Sequence, residues 1–228
     1  MAGAGRPGQP GAHQPVEGDA RLRGLHGELA VELRRDPDLE LPAEPPAAER
    51  RRRRHTLAPQ VERLWLYGGA GLRGTGNALA NEVVGTAHDD TLDGGLGADT
   101  LTGGDGGDQY EIDHVGDVVV EAGGNGTDWI FSRVSFDLAL TPAVENLTLR
   151  GTSALSARGN DQPNRITGND GNNLLTAVLG DTLVGGAGRD TLQGSWATDF
   201  LDGGTGADRL AGDLGFDIYV VDDAGDVV

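Results

Sequence analysis

Cysteine is absent from the 228-residue chain, which removes disulfides, thiolate zinc sites and cysteine catalysis together. Lysine is absent too, and histidine is scarce, with five in all. Aromatic residues make up 4%, too few for the core of an ordinary compact domain. No apolar run approaches the roughly eighteen residues of a membrane-spanning helix. The N-terminus lacks the basic patch and apolar stretch of about 7–15 residues that mark a cleavable secretory signal. An exported chain with this start is expected to carry its signal elsewhere.

What is abundant is glycine, with 39 residues. Glycine loses the most backbone entropy on folding, so a fold this rich in it must use it systematically, and repeated tight turns do so. Aspartate and glutamate outnumber arginine 36 to 18, for a net charge of -18. The surplus lies wholly after residue 60: residues 1–60 hold ten Arg and nine acids, residues 61–228 eight Arg and 27 acids. Such a surface repels nucleic acid and attracts cations or a basic partner.

Residues 1–55 are rich in Pro, Arg, Gly and Ala and share no pattern with the remainder. They read as a largely disordered segment. One short helix is expected where Leu22, Leu25, Leu29 and Leu33 recur at helical spacing before Pro37. The run Arg50 to Arg54 reads as a solvated linker rather than a nucleic-acid patch.

From residue 56 internal similarity governs the chain. Val61-Glu62-Arg63-Leu64 recurs 83 residues later as Val144-Glu145-Asn146-Leu147, and Asp108-Gln109-Tyr110 recurs 109 residues later as Asp217-Ile218-Tyr219. This divides the chain into a first module over 56–143 and a second, expanded one over 144–228. The second stops where the first continues into Val120-Glu121, so a segment of a longer protein is expected.

Inside the modules the unit is Gly-Gly-x-Gly-x-Asp-x-apolar-x. It is complete at Gly94–Thr102, Gly103–Glu111, Gly185–Gln193 and Gly203–Ala211. Degenerate copies begin at Gly76, Gly85, Gly168, Gly194 and Gly212. The phase breaks only over 177–184, which is one residue short. The glycines at the first, second and fourth places (Gly94, Gly95, Gly97; Gly103, Gly104, Gly106; Gly185, Gly186, Gly188; Gly203, Gly204, Gly206) permit a tight turn with exposed carbonyls. The last three residues form a short strand whose middle side chain points inward: Leu92, Leu101, Tyr110, Leu192, Leu201, Leu210 and Tyr219. An all-β parallel solenoid, or β-roll, with a thin apolar core follows.

Rungs of such a solenoid lie ~4.8 Å apart, so aspartates on successive turns repel by roughly 0.9 kcal/mol even in water. A divalent cation removes that cost. Carboxylate and carbonyl oxygens without thiolates specify a hard ion, and flexible turns favour Ca2+ over Mg2+.

These residues resemble the repeats-in-toxin (RTX, hemolysin-type) calcium-binding family. The nonapeptide carries the resemblance over 85–111 and 168–220, and the flanking segments extend it over 56–228. The resemblance implies two nonapeptides per coil, with several Ca2+ ions held between repeats one apart. It also implies export by a one-step (type I) secretion machine, and folding outside the cell where calcium is plentiful. Carried over residue by residue, it makes Asp190 with Asp208 the best site, both turns being complete. Asp99 with Asn81, and Asp108 with Asp90, each include one irregular turn. Asp199 with Asp217 is poorer, because Gly194-Ser195-Trp196-Ala197-Thr198-Asp199 lacks two glycines. No normal ion is expected at Asp181.

Among catalytic classes, no HExxH motif and no Gly-x-Ser-x-Gly elbow occurs. Paired carboxylates are abundant enough to leave a glycosidase-like pair open by count alone, yet they lie in the repeat phase, where the metal reading already explains them. The reading is a secreted, extracellular, non-catalytic calcium-binding segment of a larger exported bacterial protein. The alternatives are an adhesin or matrix spacer, or the C-terminal part of a hydrolase whose catalytic domain lies outside this sequence. The aromatics Trp129, Phe131 and Phe136 are expected to continue the core between modules, with Val134, Phe136, Leu138 and Leu140 alternating as in a strand.

Overall fold

Short strands separated by glycine turns leave each coil unable to bury its apolar residues alone, so coils must stack. The computed structural model describes residues 54–69, 71–121 and 125–228, and it is a parallel β-solenoid. The expected helix at 22–33 and most of the N-terminal segment lie outside the described residues. Arg54 and His55, at the end of that segment, already pair with Arg73 and Gly74.

One side of the solenoid is a ten-stranded parallel sheet running from Arg54–Thr56 to Ile218–Val220. Its neighbouring strands lie 17–20 residues apart in sequence, and eighteen apart where regular repeats stack, as in Arg73↔Thr91, Thr182↔Phe200 and Phe200↔Ile218. Two nonapeptides therefore make one coil. The short unit at 177–184 is absorbed without loss of pairing: Arg165 opposes Thr182, and Leu174 opposes Thr191.

The opposite side is divided. A four-stranded sheet covers Arg63–Trp65 to Val118–Val120, and a five-stranded sheet covers Phe136–Asp137 to Arg209–Ala211. Among the described residues between Val120 and Phe136 the opposite side carries no strand, while Trp129–Ser132 keeps the ten-stranded sheet unbroken.

The core is one column of side chains from each face. Leu92, Tyr110, Ile130, Leu147, Ile166, Leu183 and Leu201 come from the long sheet, while Leu64, Val83, Leu101, Val119, Leu175, Leu192 and Leu210 come from the other side. All are essentially inaccessible to solvent. Tyr219 is only partly covered. Each such aliphatic side chain contributes about 1.5–3 kcal/mol on burial.

The connecting stretch departs from its expected pattern. Ile130 is the inward residue of Trp129–Ser132, so Trp129 and Phe131 lie on the outer face. There they stack on each other at 6.1 Å, and the Arg150 guanidinium covers Phe131 at 4.1 Å. Phe136 packs against the core. The alternation stops at Asp137, whose carboxylate accepts from the Ala139 amide at 2.9 Å and starts a 3-10 turn over Leu138–Leu140. Leu138 is buried, and Leu140 is left exposed.

Candidate metal centre

Stacking brings the sixth residue of each repeat into two columns, one at each edge of the long sheet. One column holds Asp90, Asp108, Asp128, Glu145, Asn164, Asp181, Asp199 and Asp217. The other holds Asn81, Asp99 and Asp117, then Asn173, Asp190, Asp208 and Asp226. In both, one carboxylate oxygen accepts the main-chain N–H of the equivalent residue one coil earlier. Asp208 Oδ1 accepts from the Asp190 amide at 2.7 Å, Asp108 from Asp90 at 2.7 Å, Asp99 from Asn81 at 2.6 Å and Asp217 from Asp199 at 2.9 Å. The pairs expected from sequence are therefore neighbours in space.

The second carboxylate oxygen divides the turns into two kinds. Where the second repeat position is neither glycine nor left-handed, its amide folds over the aspartate. Thr86 donates both N–H (2.7 Å) and hydroxyl (2.8 Å) to Asp90 Oδ2, and Ser195 donates N–H (2.6 Å) and hydroxyl (2.9 Å) to Asp199 Oδ2. The Val178 amide closes on Asp181 Oδ2 at 2.7 Å. The same closure is made by an asparagine carbonyl at Asn81, Asn164 and Asn173.

Where the second position is glycine, its φ is left-handed: +78° at Gly95, +109° at Gly104, +107° at Gly186 and +77° at Gly204. L side chains resist this region. The amide then does not reach the carboxylate, and Oδ2 of Asp99, Asp108, Asp190 and Asp208 is buried without a hydrogen-bond partner. A buried unpaired carboxylate oxygen costs several kcal/mol unless a cation meets it. Asp213, at the second position of its turn, is the only non-glycine with positive φ (+62°) among the described residues, which puts Asp217 in a turn of this open kind.

Carbonyl oxygens complete the environment. On one side of the Gly185 α-carbon, where a Cβ would stand, lie both the Gly203 carbonyl and Asp190 Oδ2. The cradle consists of hard oxygen atoms and is wide enough only because no side chain fills it, which is the donor set Ca2+ takes.

The electrostatics agree. Burial, with Asp208 as a neighbouring like charge, pushes the Asp190 carboxyl up to about 6. Burial, reinforced by Asp117 and Asp113, does the same to Asp99, also to about 6. Burial with the charges of Asp90, Asp128 and Asp89 carries Asp108 to about 7. Asp208, Asp90 and Asp181 are raised as well, chiefly by burial. Asp226 is instead lowered, by amide hydrogen bonds from Asp208 and Asp223.

The family model of the RTX calcium-binding nonapeptide repeat matches in four copies, over residues 75–110, 156–181, 178–210 and 197–219. The repeats are RTX calcium-binding nonapeptide repeats. RTX repeats of this kind bind Ca2+, several ions to a domain. No curated protein and no solved structure matches the chain. Among the described residues no helix is long and apolar enough to cross a membrane.

Three aspartates of the two columns were not singled out from sequence. Asp117 and Asp226 lie outside any Gly-Gly-x-Gly unit, yet they follow Asp108 and Asp217 by nine residues, so phase alone marks them. Asp128 follows Asp108 by twenty residues rather than eighteen, and that shift hides it.

Proposed function

We propose that this chain is the calcium-clamped β-roll of a larger exported protein, itself non-catalytic, and that its folding is coupled to calcium. The observation that carries this reading is the set of buried, unpartnered Oδ2 atoms in the open turns. Ions are assigned to Asp190 with Asp208, to Asp99 and to Asp108. The carbonyls of Gly94, Gly95, Gly97, Gly103, Gly104, Gly106, Gly185, Gly186, Gly188, Gly203, Gly204 and Gly206 supply further oxygens. Asp217 adds a site of the same open type at the end of its column. Asp90 and Asp199 hold the stack through hydrogen bonds, since both oxygens of each are engaged.

The coupling follows from mass action. A site whose dissociation constant lies about tenfold below ambient calcium adds about 1.4 kcal/mol, and a few such sites equal a domain's stability. That favours a chain kept unfolded where calcium is scarce and folded outside the cell, after passage through a one-step secretion machine.

Calorimetric calcium titration of the full chain tests the assignment. Asp190→Ala and Asp208→Ala are each expected to remove the same binding event, whereas Ser195→Ala leaves the stoichiometry unchanged. Wild-type stoichiometry in both aspartate variants would refute the pair.

A further inference from the structure

The end of the first array differs from a regular coil in a way the repeat does not account for. Gly85 and Gly103 are the first residues of successive turns in one column, eighteen residues apart, and the same step leads to Glu121. A carboxylate thus stands where a regular turn has glycine. The coil is also longer, since Asp108 is followed in its column by Asp128, whose Oδ1 accepts the Asp108 amide at 2.7 Å.

The Glu121 side chain turns back toward the preceding turn. Its Oε1 accepts the hydroxyl of Tyr110, the residue two beyond Asp108. Asp108 Oδ2, Glu121 Oε1 and the Tyr110 hydroxyl crowd the face of Gly103 where a Cβ would stand. Ligand oxygens of Asp108, Glu121 and Asp128 all lie within 4.8 Å of one another. That is the spread of oxygens around one ion at Ca–O distances of about 2.3–2.6 Å. Asp108 is completely buried, and its Oδ2, aimed into the cluster, has no hydrogen-bond partner.

We infer that the ion assigned to Asp108 is held by three carboxylates, those of Asp108, Glu121 and Asp128, at the end of the first array, which sets this site apart in composition from the other open turns. The inference rests on the reading that the open turns hold calcium. Three side-chain carboxylates on one ion give a higher charge count than a repeat turn offers, and charge count raises affinity. The ion ties Glu121 and Asp128, which flank the elongated coil, to the last complete turn. Tyr110 is a positioning residue that orients Glu121.

The test is calcium titration of the full chain by calorimetry, with Glu121→Gln, Tyr110→Phe and Asp190→Asn. Glu121→Gln is expected to weaken one binding event by about tenfold or more, while the event abolished by Asp190→Asn persists as an internal reference. Tyr110→Phe is expected to keep the Glu121 event, weakened by less than in Glu121→Gln. Wild-type titration of Glu121→Gln overturns the site. Equal loss in Tyr110→Phe and Glu121→Gln also overturns it, by reducing Glu121 to a hydrogen-bond acceptor. Loss of the Asp190 event in Glu121→Gln counts against a local ligand. If the wild-type chain takes up no calcium, the reading of the open turns fails first.

Discussion

A single position in the nonapeptide sets what its aspartate does. With threonine or serine second, as at Thr86 and Ser195, the residue's own amide and hydroxyl satisfy the carboxylate. With glycine second, the left-handed backbone removes that donor and leaves an oxygen for a cation. The raised carboxyls of Asp99, Asp108 and Asp190 then fix a pH dependence. In the calcium-free fold these groups hold protons up to pH 6–7, whereas in the unfolded chain they release them near the ordinary value of 3.8. The folded state therefore binds more protons in that window, and its calcium-free stability is lost as pH rises from about 4 through about 7. With calcium present the sign reverses, because protons compete for the same oxygens. In chelator, the stability of the fold, read as regained β signal and then as thermal midpoint, is expected to rise on acidification from pH 8 to 5. In millimolar calcium it is expected to fall. Parallel pH profiles in the two conditions would contradict the assignment of these carboxylates.

At the scale of the strand, each rung depends on one inward side chain. Leu201 sits between Leu183 and Tyr219 in register and is wholly buried. Leu201→Ala is expected to cost about 2–5 kcal/mol, read as a lower unfolding midpoint in saturating calcium. Leu214→Ala, at an exposed turn, is expected to stay within about 0.5 kcal/mol of wild type. This level was the most legible in sequence, because period nine marked Leu92, Leu101, Tyr110, Leu192, Leu201 and Leu210 directly. Pairing of Asp190 with Asp208 followed from the same arithmetic. The closed turns did not, since a threonine hydroxyl bonded to Asp90 reads in sequence only as a missing glycine. Outside the repeats the signal weakened further. Trp129 and Phe131 look like core by composition, but the two-residue strand period assigns the inside to Ile130. Val134 to Leu140 alternates like a strand, yet Asp137 captures a nearby amide and winds the chain into a 3-10 turn.

For the molecule as a whole, the thin core and the facing acidic columns oppose one another. Without a cation, several buried carboxylates remain unpaired and the like charges of 27 acids among residues 61–228 are only partly offset by eight arginines. Removal of calcium at pH 8 is expected to abolish most of the β signal in far-ultraviolet circular dichroism, with recovery on adding calcium back. A β spectrum unchanged by chelation would refute coupled folding. The sheet arrangement bears on mechanics as well. Ten strands run without interruption along one side, while among the described residues the strands of the other side fall into two sheets with a slit between Val120 and Phe136. A rod continuous on one side and cut on the other is not equally stiff in all directions: bending about its intact spine, which opens or closes the slit, is expected to meet the least resistance. Glu121 and Asp128 sit at that slit, so an ion held there would set how far the rod bends.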